Sequence, residues 1–179
     1  MKILKNVLEN ELNIRTEKDY PIKGIEFIDI TPLIIKKEVF KEITVKFVEE
    51  IKNKNIDYIV APEARGFLFG TAVANNLNIG CIPVRKKGKL PPVAVEKQFE
   101  YEKEYGKDIL ELPKLVNEDY ENKNFYIIDD IYATRNTMKA IKKAIEELNG
   151  NVVGEAVVMN IVELNSNKEL FSLIDVNEE

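Results

Sequence analysis

Short apolar runs without alternation recur along this chain, and stripes of apolar residues at helical spacing lie between them. Phe125-Tyr126-Ile127-Ile128 is the clearest run, the pattern of a strand buried on both faces inside a parallel sheet. Tyr58–Ala61 and Gly80–Val84 are similar β runs. Val152–Ile161 is strand-like around Val157 and Val158, and Leu170–Val176 supplies a last short strand. Val39, Phe40, Ile43, Phe47, Val48 and Ile51 keep a period of 3.6 residues, which predicts a helix. Met138, Ile141, Ile145 and Leu148 do the same over Asn136–Leu148, and Asn149-Gly150 stops that helix. Gly66–Asn76 reads as a helix of small and apolar residues. Ile3, Leu4, Val7, Leu8 and Leu12 form a further stripe, expected to lie across the body or a partner subunit. Strands alternating with helices predict an α/β fold: a mainly parallel open sheet, right-handed crossovers, and helices on both faces.

Two stretches depart from the alternation. Tyr20–Pro32 is turn-rich and mixes apolar and acidic residues in Gly24-Ile25-Glu26-Phe27-Ile28-Asp29-Ile30. Between Val84 and Leu112, the basic run Arg85-Lys86-Lys87-Gly88-Lys89 is followed by Leu90-Pro91-Pro92, which predicts an exposed loop. Lys107–Leu112 fits the second arm of a β-ribbon. An excursion of this length at the carboxyl edge of a sheet predicts a mobile lid. With no repeat, low-complexity tract or linker, the 179 residues read as one domain.

Composition removes several chemistries. There is no histidine, so Ser-His and Cys-His nucleophiles and most zinc sites are excluded. One cysteine, Cys81, allows no internal disulfide and fits a reducing compartment; its place in an apolar strand predicts a structural role. A net charge of −5 without a basic stripe argues against nucleic acid as a partner. No apolar run reaches membrane-spanning length, and Met1–Lys5 does not open a signal peptide, so a cytoplasmic protein is expected. Lysine supplies nearly all the positive charge. Against that bias Arg15, Arg65, Arg85 and Arg135 mark places where a planar, bidentate donor is useful.

The richest segment is Phe125–Thr137, FYIIDDIYATRNT. Its apolar strand ends in Asp129 and Asp130; Ala133-Thr134-Arg135-Asn136-Thr137 then leads into a helix. Ligands of open α/β sheets sit beyond the carboxyl ends of the strands. A loop entering a helix there offers free N–H groups and the positive end of the dipole to a phosphate. Two carboxylates beside it suit hydroxyls or a hard cation. A solvated turn or a helix N-cap would also use Asp-Asp, but not the whole arrangement. A sugar phosphate satisfies all of it. Pro62-Glu63-Ala64-Arg65-Gly66-Phe67-Leu68-Phe69-Gly70 repeats the theme after another strand; an ordinary turn with Glu63 and Arg65 in solvent is the alternative. Two anion sites on one sheet edge fit a ligand phosphorylated at both ends.

Phe125–Thr137 resembles the 5-phosphoribosyl-1-pyrophosphate (PRPP) motif of type I phosphoribosyltransferases. GIEFIDITP, EARGFLFG, VRKKGKLP and YEKEYGKD, together with that motif, resemble in order and spacing the adenine phosphoribosyltransferases, over residues 20–165. The resemblance implies the type I fold with a small N-terminal hood (20–35) that binds the base, a flexible β-ribbon lid (85–112) and the PRPP motif (125–137). It implies that Phe27 and Ile161 sandwich adenine, with the backbone around Glu26 and Ile28 reading its edge. Arg65, Arg85, Lys86 and Lys89 would hold pyrophosphate. Glu104, with Tyr105, would cover the reaction centre, Glu104 and Arg65 being the catalytic pair. Asp129 and Asp130 would take the ribose hydroxyls and, with PRPP, Mg²⁺; Ala133, Thr134, Arg135, Asn136 and Thr137 would cradle the 5-phosphate. Ala133 stands where 6-oxopurine enzymes have aspartate, which favours adenine. A homodimer is implied as well.

Three departures from the family pattern stand out, and the two in the phosphate loop keep alternatives open. Arg135 and Asn136 stand where the family has glycines, and Ile28 where it often has arginine. Glycine lets a phosphate approach the backbone; Arg135 adds a cation that could itself pair with phosphate. A xanthine or other 6-oxopurine enzyme, or a regulatory homologue that binds nucleotide or PRPP without turnover, therefore remains alongside the adenine reading.

Overall fold

The computed structural model describes residues 14–20, 22–24, 26–103, 106–133, 136–162 and 170–176. The N-terminal stripe from Ile3 to Leu12 lies outside them, as do Glu104, Tyr105, Thr134 and Arg135. The chain divides into two compact units, residues 1–46 and 47–179.

In the first unit β1 (Arg15–Lys18) pairs antiparallel with β2 (Glu26–Asp29), Arg15 facing Asp29 and Glu17 facing Phe27. The polar sequence Arg15-Thr16-Glu17-Lys18, exposed throughout, has no apolar face, so periodicity does not reveal β1. The stretch read as turn-rich thus contains a strand and a short helix, α1 (Thr31–Ile35), with Pro32 in its first turn, where a missing N–H costs nothing. Asp29 anchors the join: its carboxylate accepts the Thr31 N–H at 2.9 Å and pairs with Arg15 at 2.6 Å. Hydrogen bonding from Thr31 is the main cause holding that carboxyl below its ordinary range, with Arg15 adding to it.

Helix α2 (Lys37–Ile51) carries the predicted stripe, with Val39, Ile43, Phe47 and Ile51 buried; the division between the units falls within it. In the second unit follow β3 (Tyr58–Pro62), α3 (Gly66–Leu77), β4 (Gly80–Lys86), β5 (Val95–Lys103), β6 (Gly106–Pro113), β7 (Asn124–Tyr132), α4 (Asn136–Glu146), β8 (Asn151–Ile161) and β9 (Phe171–Val176). They form a seven-stranded sheet of order β5-β6-β4-β3-β7-β8-β9. From β4 to β9 the neighbours are parallel; β6 runs antiparallel to β4, and β5 to β6. The parallel core explains why Phe125–Ile128 needs no polar alternation: all four side chains are buried.

The helices take opposite faces of β3. Gly70 of α3 lies against Ala61 and Ile59, whereas Val60, on the other face, shares a core cluster with Met138, Ile141, Ala144 and Ile145 of α4. The ribbon joins that cluster through Tyr101, Leu110 and Leu112. Among the described residues no helix is long and apolar enough to cross a membrane.

Strand β7 runs further than its sequence suggests. Its ladder to β3 covers Phe125–Ile127, but its ladder to β8 continues to Tyr132 opposite Asn160. Asp129 and Asp130 therefore lie within β7 and past the end of its β3 ladder. Because the chain passes from β3 to β4 on one side and returns to β7 on the other, the crevice between β3 and β7 is the topological switch point, where open α/β sheets bind ligands.

Candidate active site at the switch point

The two sequence motifs meet across this crevice. Arg65 follows β3 and immediately precedes α3, and its Nε lies 2.8 Å from Asp130 Oδ2. Asp130 Oδ2 is buried, and among the described residues it pairs with Arg65 as an ion without a hydrogen bond. A buried carboxylate oxygen in such an ion pair can still accept a hydroxyl hydrogen or meet a hard cation. Asp129 Oδ1 accepts the Asp130 N–H at 2.9 Å. Burial first, and then the charge of Asp130, push the Asp129 carboxyl well above the usual range.

Gly66 sets the spacing between the motifs. A Cβ there would lie 2.8 Å from Asp129 Oδ1 and from Pro62 Cδ, and 3.2 Å from the Ile128 carbonyl oxygen. Glycine alone allows the start of α3 to press against the acid pair. Gly66→Ala is expected to lower stability by about 1–3 kcal/mol through overpacking and kcat/KM by about tenfold through displacement of Arg65. Thermal unfolding and steady-state kinetics measure the two; wild-type values in both would contradict this packing.

Glu63 does not sit in solvent. Its backbone N–H donates to the Val84 carbonyl at 2.9 Å, and its carboxylate accepts from the Lys86 N–H at 2.9 Å and Arg85 Nε at 3.0 Å. The Lys86 N–H first, and then Arg85, hold that carboxyl below its ordinary range. The Glu63–Ala64 peptide is cis. Arg85 also stands over the Phe67 ring, 5.8 Å from its centroid. Glu63 thereby ties the end of β4, where the basic run begins, to the loop that carries Arg65. The ammonium-bearing Lys86 and Lys89 are exposed on the turn beyond, where the Lys89 N–H donates to the Lys86 carbonyl at 3.1 Å.

Ala133, Asn136 and Thr137 are half-buried at the end of β7 and the start of α4. Phe27 is half-buried in the first unit and meets Tyr20 edge to face at 5.3 Å between centroids; Ile28 is half-buried opposite Thr16, and Glu26 opposite Lys18 completes the β2 ladder. Ile161 closes β8 in the second unit, 8% exposed and paired with Val176. Cys81 is half-buried, its thiol pushed up to about 11 by burial, which makes it a poor nucleophile.

Glu111 is the residue the sequence conceals. It is 2% exposed and takes hydrogen bonds from the turn that bears the basic run. Alternation puts it on the same face of β6 as Ile109, opposite Leu110 and Leu112, where a glutamate ordinarily meets water.

Residues 33–173 match the phosphoribosyl transferase domain, and the chain belongs to that family. Within it the chain is similar to the adenine phosphoribosyltransferase of Clostridium acetobutylicum, 46% identical over 158 residues that make up 88% of this chain and 90% of that one. The crystal structure of the adenine phosphoribosyltransferase from Thermoanaerobacter pseudethanolicus is 36% identical and superposes with a TM-score of 0.86, covering 97% of this chain and 99% of that one. The Saccharomyces cerevisiae enzyme, solved in complex with an imino-altritol bisphosphate and adenine, is 34% identical with a TM-score of 0.79, covering 94% and 98%.

Proposed function

We propose that this chain transfers the phosphoribosyl group of PRPP to adenine, releasing AMP and pyrophosphate, a purine-salvage reaction. The convergence of Arg65 and the Asp129-Asp130 pair at the switch point is the observation that carries the reading. It sets a cation for phosphate beside carboxylates for hydroxyls, and the yeast relative binds adenine together with a sugar analogue phosphorylated twice.

On this reading the bond from ribose C1 to the pyrophosphate oxygen breaks, and the bond from adenine N9 to C1 forms. The departing electron pair stays on pyrophosphate; the N9 proton leaves the base. Arg65, Arg85, Lys86 and Lys89 neutralise the leaving group, and Asp129 and Asp130 fix the ribose through its hydroxyls. Ala133, Thr134, Arg135, Asn136 and Thr137 hold the 5-phosphate at the α4 N-terminus. Phe27 and Ile161 stack on the base while the backbone at Glu26 and Ile28 reads its edge. Glu104, with Tyr105, covers the reacting carbon and either stabilises its developing positive charge or takes the purine proton.

The buried oxygen of Asp130, without a hydrogen-bond partner among the described residues, and its neighbour Asp129 suit Mg²⁺, an ion that would arrive with PRPP. When bound, Mg²⁺ neutralises charge on the pyrophosphate. A cytoplasmic homodimer accompanies this reading; the single cysteine fits a reducing compartment.

A panel of purines supplied with PRPP and Mg²⁺ tests it. AMP from adenine should exceed product from hypoxanthine, guanine or xanthine by at least about 10²-fold, as expected where a site's polar groups are matched to one base. Turnover confined to a 6-oxopurine would overturn the choice of base, and PRPP binding without any product would favour the regulatory alternative.

A further inference from the structure

A carboxylate buried to 2% exposure has to justify the loss of its hydration, and Glu111 does so with two hydrogen bonds from one turn and a third from strand β5. Its Oε1 accepts the Gly88 N–H at 3.2 Å and the Gln98 side-chain amide at 2.8 Å, and its Oε2 accepts the Leu90 N–H at 3.4 Å. Gly88 and Leu90 bracket Lys89 in the turn that follows β4. Gly88 has a φ of +77°, the left-handed conformation that points its N–H inward while the lysines stay outside. Glu111 faces Arg85 across the β4–β6 ladder. From the other side Glu63 holds the Lys86 N–H and Arg85 Nε. The basic run thus has its backbone fastened by two carboxylates and its ammonium groups free of them.

We propose that Glu111 is a positioning residue for the pyrophosphate site: it fixes the Lys87–Leu90 turn so that Lys89 meets the leaving group, and Gln98 links that turn to strand β5 of the ribbon. This rests on the assignment of pyrophosphate to the basic run. The role has a sign that separates it from simple electrostatics. Glu111→Gln makes the neighbourhood of the run more positive by one charge, so a pure charge effect would tighten pyrophosphate. Loss of the second acceptor turns an amide N–H₂ toward a backbone N–H and lets the turn move, so a positioning role predicts weaker binding.

The test uses the full chain with inorganic pyrophosphate and Mg²⁺, by calorimetry and through the KM for pyrophosphate in the reverse reaction from AMP. Glu111→Gln is expected to weaken pyrophosphate about tenfold or more, the equivalent of losing a hydrogen bond to a charged group. The KM for adenine in the forward reaction should stay within about twofold, which a distortion spreading to the base site would not spare. Gln98→Leu changes an exposed side chain, so it preserves folding and should weaken pyrophosphate about threefold. Lys89→Ala serves as the reference for the site itself, with an expected loss of about tenfold. Unchanged or tighter pyrophosphate binding in both Glu111→Gln and Gln98→Leu, with Lys89→Ala impaired, would overturn the role of Glu111 alone. No loss in Lys89→Ala would overturn it together with the pyrophosphate assignment.

Discussion

Arg65→Ala is expected to reduce kcat/KM for PRPP by about 10²–10³-fold, the range seen when one preorganised donor to developing negative charge is removed. Arg65 is the basic side chain paired with the acid pair, at 2.8 Å from Asp130. On the proposed reading its loss removes charge from the leaving-group site, and it strips Asp130, whose side chain is 5% exposed, of this ion-pair partner. The stability cost is small, about 1 kcal/mol, because Arg65 itself is 40% exposed and solvent screens the pair. Kinetics and structure are therefore expected to separate: a folded protein with little transfer activity. Arg65→Lys should recover part of the loss, since lysine keeps the charge but not the planar donor. A drop in thermal stability large enough to account for the lost activity would make the residue structural.

Asp129→Asn is expected to move stability and activity in opposite directions. Burial and the adjacent Asp130 raise the Asp129 carboxyl above its unfolded value of 3.8, so the native protein binds that proton more tightly than the unfolded chain does. The resulting stabilisation is complete below the unfolded value and is lost as pH rises through the raised native value. Asparagine cannot ionise and still offers an oxygen to the Asp130 N–H, so it escapes that loss. Relative to wild type, Tm should be higher at pH 8, and the difference should shrink as pH falls toward 4. Activity should fall on the order of 10–100-fold, the worth of a hydrogen bond from a ribose hydroxyl to a charged acceptor. A variant no more stable at pH 8 than wild type would show that the acid pair is not held under repulsion. Stability given up at a site so that it can bind is what functional residues lead one to expect.

These two residues were legible in the sequence because their motifs combine a strand, a loop and a helix start, each with its own physical signature. The parallel sheet was equally legible: Phe125–Ile128 could be buried on both faces only if its neighbours brought helices to both sides. What stayed hidden depended on contacts remote in sequence. The continuation of β7 past its acids follows from its ladder to β8, which no local pattern announces. Strand β1 has four exposed polar residues and owes its conformation to pairing with β2. Glu63 reads as a surface charge until β4 brings Arg85 and Lys86 beside it, a separation of more than twenty residues. Glu111 reads as a solvent-facing strand residue until the Gly88 turn folds over it. Alternation predicts which face a side chain takes; it does not predict what will cover that face.

On the proposed reading PRPP binds in the crevice between β3 and β7, its pyrophosphate on Arg65 and its ribose on the acid pair. Calorimetric titration of PRPP with Mg²⁺ into wild-type, Arg65→Ala and Asp129→Asn proteins tests it most directly. One PRPP per chain is expected in the wild type, with affinities weaker by about tenfold or more in both variants. Wild-type affinity in both folded variants would place PRPP elsewhere and contradict it.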